Sequence, residues 1–280
     1  MIFRFKAAKH LKVMRADKLW KHSMGGGVKV FVMGSGYTPH QNSGTVIDLP
    51  PVAPVSDTLD HRGHEAPAIS LINGQPKGSK WVGFAPQAIV YSLKAQTFSH
   101  HPVSNTDVQP FSYAGLKAAL DWFDAGNKFH ILNCSWNIPV AEPRGVELIQ
   151  KLNSRGVIII ISGNNFGQDT PQPYAHLKDY VISIGATDFK GNILPWSNRG
   201  CDFYVPGQSI LAYSWMDYKQ YVLVNGTSFS APSISGMMAT LVDKFHEWTT
   251  NNNQNAKEVL GTHCEKIKWS PIDDGKRTTL

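Results

Sequence analysis

Apolar runs alternate with segments of helical periodicity along most of the chain. VKVFVM (28–33), AIVYSLK (88–94), FHILNCS (129–135), VIIIIS (157–162) and YVISIGA (180–186) are rich in Val, Ile and Leu. Near-continuous apolar runs of this length are the signature of parallel strands buried on both faces. Between them, 64–73, 111–125 and 143–154 read as helices; in the second, Leu116, Ala119, Leu120 and Phe123 recur at helical spacing. A further stripe of Ile234, Met238, Leu241, Val242 and Phe245 marks a helix after residue 228, packed on the sheet by one face. The alternation predicts an α/β fold, a three-layer αβα sandwich with a mostly parallel central sheet and right-handed crossovers. The polar stretch TTNNNQN (249–255) precedes a short helix. One domain over 1–268 is expected, with 1–13 a basic extension and 269–280 a polar tail.

Composition changes this picture little. At 280 residues, 42% hydrophobic and 17% charged, the chain is globular. Its net charge of +6 comes entirely from residues 1–21, where seven basic residues meet Asp17 alone. The balanced remainder gives no reason to expect a nucleic-acid partner, and the arm reads as the solvated face of a short helix wrapped on the domain. No apolar run approaches the roughly 18 residues of a membrane span. The opening MIFRFKAAKHL is too cationic and scattered for a secretion signal. Cys134, Cys201 and Cys264 are odd in number and far apart, so no disulfide framework is implied. A reducing, cytoplasmic setting is expected, with no membrane partner.

Chemistry concentrates in three short stretches. In VNGTSFSAPSISG (224–236), Ser228 stands at a helix start, where it is either an ordinary cap or a nucleophile near the positive end of the helix dipole. GTSFSAP (226–232) resembles the serine signature of the subtilisin family, G-T-S-x-[SA]-x-P. DHRGHEAPA (60–68) is similar to that family's D-x-x-G-H-G-T-x-V-A, which implies His64 as general base, with Glu65-Ala66 replacing Gly-Thr. GFAPQAIVYSLKA (83–95) resembles the following family segment and fixes the register. HEAPA has the start of a zinc-protease helix, but Ala68 stands where its second histidine belongs. Ser162-Gly163-Asn164-Asn165 ends the most apolar strand, and the resemblance makes the Asn164 amide the oxyanion donor. Asn133-Cys134-Ser135 is similar to the family's N-M-S, after which Trp136-Asn137-Ile138 replaces a glycine-rich wall of the specificity pocket. Ser135, Trp136, Asn137, Ser162 and Gly163 are therefore the expected substrate-binding positions. The resemblance covers nearly the whole chain.

The pattern breaks at the acid. The family's first strand ends V-A-V-I-D-[ST]-G, but here Val30-Phe31-Val32-Met33 leads into Gly34-Ser35-Gly36. In subtilisin, loss of that aspartate alone costs roughly 3 × 10⁴ in kcat, about 6 kcal/mol of transition-state stabilisation. Asp48 and Asp57 are candidate replacements, and Asp60 a weaker one because the family also has an acid there. Ser35 or a water is a further candidate to orient His64. Lys77 stands near the family's calcium ligands, so no metal and no cofactor is expected. The resemblance implies a serine endopeptidase acting on protein or peptide substrates; the alternative is a degenerate relative that binds a protein segment with little turnover. MIFRFKAAKHL is also a candidate blocking segment across the cleft.

Overall fold

The computed structural model describes residues 6–52, 57–77, 80–95, 109–136, 143–168, 175–244 and 253–266. Asn137, Ile138, Phe245 and the tail 269–280 lie outside the described residues. In chain order the strands are β1 (Lys6–Ala7), β2 (Lys29–Gly34), β3 (Thr45–Leu49), β4 (Lys80–Trp81), β5 (Ile89–Lys94) and β6 (Ile131–Cys134). They continue with β7 (Ile158–Ser162), β8 (Ile182–Thr187), β9 (Phe203–Pro206), β10 (Ile210–Tyr213) and β11 (Tyr221–Val224). The helices are α1 (Lys9–Val13), α2 (Ala16–Leu19), α3 (Glu65–Asn73), α4 (Gln109–Asp124), α5 (Pro143–Ser154), α6 (Thr227–Lys244) and α7 (Asn253–Lys266).

Seven strands form one parallel sheet in the order β3-β5-β2-β6-β7-β8-β9. Alternate side chains of each strand enter different cores. Val30, Val32, Ile158 and Ile160 pack with α3, α6 and the N-terminal helices. Phe31, Met33, Ile159 and Ile161 pack with α4 and α5. Burial of both faces explains why these strands carry no polar alternation. The expected strands appear within two residues of their predicted bounds, as do the helices at 64–73, 111–125 and 143–154. The edge strands β3 and β9 and the antiparallel β10–β11 hairpin were not anticipated, because their apolar runs are short and interrupted.

Helix α6 departs from the amphipathic expectation. Ser230, Ser233, Ser235 and Thr240 are as buried as Ile234 and Met238. The hydroxyls are satisfied within the protein: Ser233 donates to the Phe229 carbonyl at 2.9 Å, and Ser235 to Asn133 Oδ1 at 2.9 Å. Such back-bonding lets a polar helix face lie in a core.

The basic arm is part of that core. β1 pairs in parallel with β4, and Leu11, Met14, Leu19 and Trp20 are buried. Trp20 stacks on Trp81 with ring centroids 3.6 Å apart and donates to the Phe84 carbonyl at 2.7 Å. Residues 6–11 therefore do not lie across the cleft, as the blocking-segment expectation required; their apolar side chains fill the core beside Trp81 and Val82. Among the described residues no helix is long and apolar enough to cross a membrane.

Two stability outcomes follow. Trp20→Ala is expected to cost about 3–5 kcal/mol in urea unfolding. His10, buried with its Nε2 2.9 Å from the Val82 carbonyl oxygen, has its pKa pushed down to about 4 by burial, against that hydrogen bond. The unfolded chain then binds the extra proton between pH about 6.5 and 4, so this stability is present above that window and lost as pH falls. His10→Leu should flatten the slope there by roughly 1.4 kcal/mol per pH unit.

Candidate active site

The chain leaves β2 for the far edge at β3 and later resumes on the other flank of β2 with β6. At such a reversal of strand order, the loops beyond the carboxyl ends open a crevice. A cavity of about 320 Å³ lies there, lined by Ser135 and Trp136 after β6, Ser162 and Asn164 at β7, His64 before α3 and Ser228 in α6. Arg62, Asn165, Phe166 and Thr227 complete the wall. Gly163 holds the turn between Ser162 and Asn164, its N–H donating to the Ile184 carbonyl at 2.8 Å.

Ser228 is not the helix cap. Asn165 Oδ1 accepts the Thr227 N–H at 2.9 Å and the Thr227 hydroxyl at 3.0 Å, satisfying the start of α6 from a neighbouring loop. Gly226, at φ 141°, permits the backbone conformation that brings the chain into the helix. Ser228 is half-buried and its hydroxyl is left to the cavity. Asn164 sits at φ 70°, a left-handed conformation that asparagine tolerates better than most residues. Its carbonyl accepts the Asn198 N–H at 3.2 Å, which fixes the turn, and the residue lines the cavity.

His64 stands at the N-cap position of α3, its ring 4.3 Å from Trp136 and 5.3 Å from Phe229, centroid to centroid. Burial pushes its pKa down to about 4; Asp60 opposes this and Arg62 adds to it. At neutral pH it is therefore a neutral imidazole able to accept a proton. Its Nδ1 is buried and makes no hydrogen bond, and none joins His64 to Ser228. Catalytic hydrogen bonds are often long before substrate arrives.

The carboxylates named from the sequence are engaged elsewhere. Asp57 pairs with His61 at 2.9 Å and with Lys94 at 3.0 Å, which hold its pKa below the usual carboxylate range. Asp48 lies on edge strand β3 opposite Ser92, and burial raises its pKa. Neither is bonded to His64. Asp60 is buried and accepts from Ser35 Oγ at 2.7 Å and from the N–H groups of Arg62, Gly63 and Ala66 at 3.1, 2.8 and 2.9 Å. It shapes the loop that presents His64. Ser35 is used as well, donating to Asp60 and accepting the Glu65 N–H at 3.2 Å.

A different carboxyl group occupies the end of β2. A Cβ on Gly34 would lie 2.7 Å from Glu65 Oε2 and 2.6 Å from Trp136 Nε1. Glu65 is buried; its Oε2 accepts the Gly36 N–H at 2.7 Å and its Oε1 the Ser92 hydroxyl at 2.9 Å. Burial raises its pKa well above the usual range, opposed by the Gly36 hydrogen bond. The signal was present in the sequence as two exchanged residues, glycine for acid at 34 and acid for glycine at 65, but only the structure shows them meeting.

A parallel sheet between helical layers, with a serine at a helix N-terminus and a histidine on one cavity, defines the subtilisin-like class of serine proteases. The chain belongs to the Subtilase family, whose family model matches residues 31–265. It is 26% identical to the minor extracellular protease Epr of Bacillus subtilis (strain 168) over 235 residues, 83% of this chain and 35% of that protein. To subtilisin BL of Lederbergia lenta it is 25% identical over 248 residues, 85% of this chain and 86% of that one. The chain thus spans about a third of the first relative and most of the second. Among solved structures, the MycP3 protease from the type VII (ESX-3) secretion system is similar in fold, with a TM-score of 0.76 at 20% identity, covering 91% of this chain and 80% of that one.

The crowding at Gly34 has a measurable consequence. Gly34→Asp alone should destabilise the fold by about 1–3 kcal/mol in urea unfolding, because the new side chain enters space held by Glu65 and Trp136.

Proposed function

We propose that the protein is a serine endopeptidase that cleaves peptide bonds through an acyl-enzyme on Ser228. The observation that carries this reading is the meeting of Ser228, His64 and Asn164, from three separate elements, on one cavity where Asn165 has relieved Ser228 of capping. Ser228 Oγ attacks the peptide carbonyl carbon while His64 takes its proton. The Asn164 amide and the Ser228 N–H at the start of α6 stabilise the oxyanion, aided by the helix dipole. His64 then returns the proton to the leaving amine, and water releases the acyl group. Trp136, against the His64 ring, narrows the wall that receives substrate. The buried thiol of Cys134, which forms no disulfide, fits a reducing, cytoplasmic setting.

One observation favours the second reading, a degenerate relative that holds a protein segment with little turnover: His64 Nδ1 has no bonded carboxylate. Reaction with a fluorophosphonate probe, with the adduct located by mass, separates the two. Labelling of Ser228 in the wild type and none in Ser228→Ala or His64→Ala is expected. A folded wild type that takes no label is a binder and not a peptidase. Asn164→Gly, which keeps the backbone conformation but removes the amide, should lower kcat by about 10²–10³.

A further inference from the structure

We propose that Glu65 is the acid of this site, its carboxylate delivered from the first residue of α3 into the space beside Gly34 instead of from the end of β2. The proposal rests on the peptidase reading and deepens it. A side chain on Gly34 would begin 2.7 Å from Glu65 Oε2, so the two positions compete for one volume, and Glu65 has it.

The polar groups around Glu65 are arranged for a carboxylate. The Gly36 N–H and the Ser92 hydroxyl both donate into it, one to each oxygen. An ionised carboxylate has about four acceptor sites, so two remain after these bonds. The Nδ1 of His64, the preceding residue in the chain, is buried without a partner. A neutral histidine that serves as base through Nε2 carries its proton on Nδ1, and that N–H needs an acceptor. Glu65, the following residue, is a buried carboxyl whose two oxygens each accept a single hydrogen bond. Asp60, the other buried acid near His64, already accepts four hydrogen bonds from Ser35 and the surrounding backbone.

No hydrogen bond joins His64 to Glu65 in this structure, and the proposal includes its closure as His64 becomes charged. When Ser228 attacks, its proton passes to Nε2 and the ring becomes imidazolium; Nδ1–H donates to the Glu65 carboxylate, which keeps its charge. Glu65 thus acts through His64 as a positioning residue. The charges facing the pair are Asp60 and Arg62 from the preceding loop and Asp48 from β3. With Glu65 ionised, the imidazolium is stabilised; without it, burial and Arg62 outweigh Asp60 and favour the neutral ring.

The test uses the full chain and follows both ester hydrolysis and the rate of fluorophosphonate labelling, with thermal melts to establish folding. Glu65→Gln should lower kcat about 10⁴-fold with KM little changed, comparable to loss of the aspartate in subtilisin. The acid limb of its kcat/KM profile should move to lower pH, a shift that a merely structural role would not produce. A folded Glu65→Gln variant within three-fold of wild type, with an unmoved acid limb, overturns the assignment. Should Glu65→Gln fail to fold, Glu65→Gly is compared with Gly34→Asp/Glu65→Gly, which restores the acid from the strand. A gain of at least 100-fold on adding the aspartate supports the assignment; equal activity of the two variants overturns it. If the wild type itself neither hydrolyses ester nor labels Ser228, the peptidase reading fails first, so the two failures are distinguishable.

Discussion

Covering both faces of a parallel sheet leaves only the strand ends for chemistry. Val30 and Val32 enter one core and Phe31 and Met33 the other, so no polar side chain has room until the strand terminates at Gly34. The same constraint governs β7, which ends at Ser162, while β6 admits one polar side chain, Asn133, by bonding it to Ser135 and Ser235. Polar groups therefore gather along one edge, where the reversal of strand order about β2 separates the loops. Helix α6 crosses beneath that edge and brings Ser228 to it. Burial of that helix on nearly every side fixes the serine's position more firmly than a surface helix would.

The dryness of this edge sets its electrostatics. An imidazole pushed down to about pKa 4 and a carboxyl pushed up by burial are both biased toward their neutral forms. Asp60, which favours the charged imidazole, lies within a few residues of both, and its hydrogen bonds hold the loop that leads into α3. Buried polar networks of this kind are costly when half satisfied and rigid when complete. The unpaired Nδ1 of His64 marks where this one is incomplete.

Sequence and structure divide the site between them unevenly. GTSFSAP, the histidine in DHRGHEAPA and the asparagine after VIIIIS were legible because each couples a candidate residue to the turn or helix start that presents it. The absence of an acid at 34 was legible for the same reason. Its consequence was not, because a carboxylate's reach depends on side-chain packing, and Asp48 and Asp57 were nearer in kind to the missing aspartate than Glu65 was. Lys94 and His61 claim Asp57, an edge strand claims Asp48, and neither competition is visible in spacing. The basic arm is the short helical wrap on the domain that the sequence suggested, and only its expected place across the cleft was wrong. Its lysines are conspicuous, but His10, Leu11, Met14 and Trp20 are buried, and Trp20 stacks on Trp81 sixty-one residues away.

The sequence by itself determined the layered α/β fold, the parallel sheet and the serine, histidine and asparagine, because apolar periodicity and turn-forming residues act over a few neighbouring positions. Tertiary structure alone decided that Asn165 caps the helix in place of Ser228, that the arm belongs to the core, and that Glu65 fills the space left by Gly34. Those outcomes depend on which groups, far apart or differently angled along the chain, compete for one small volume away from water.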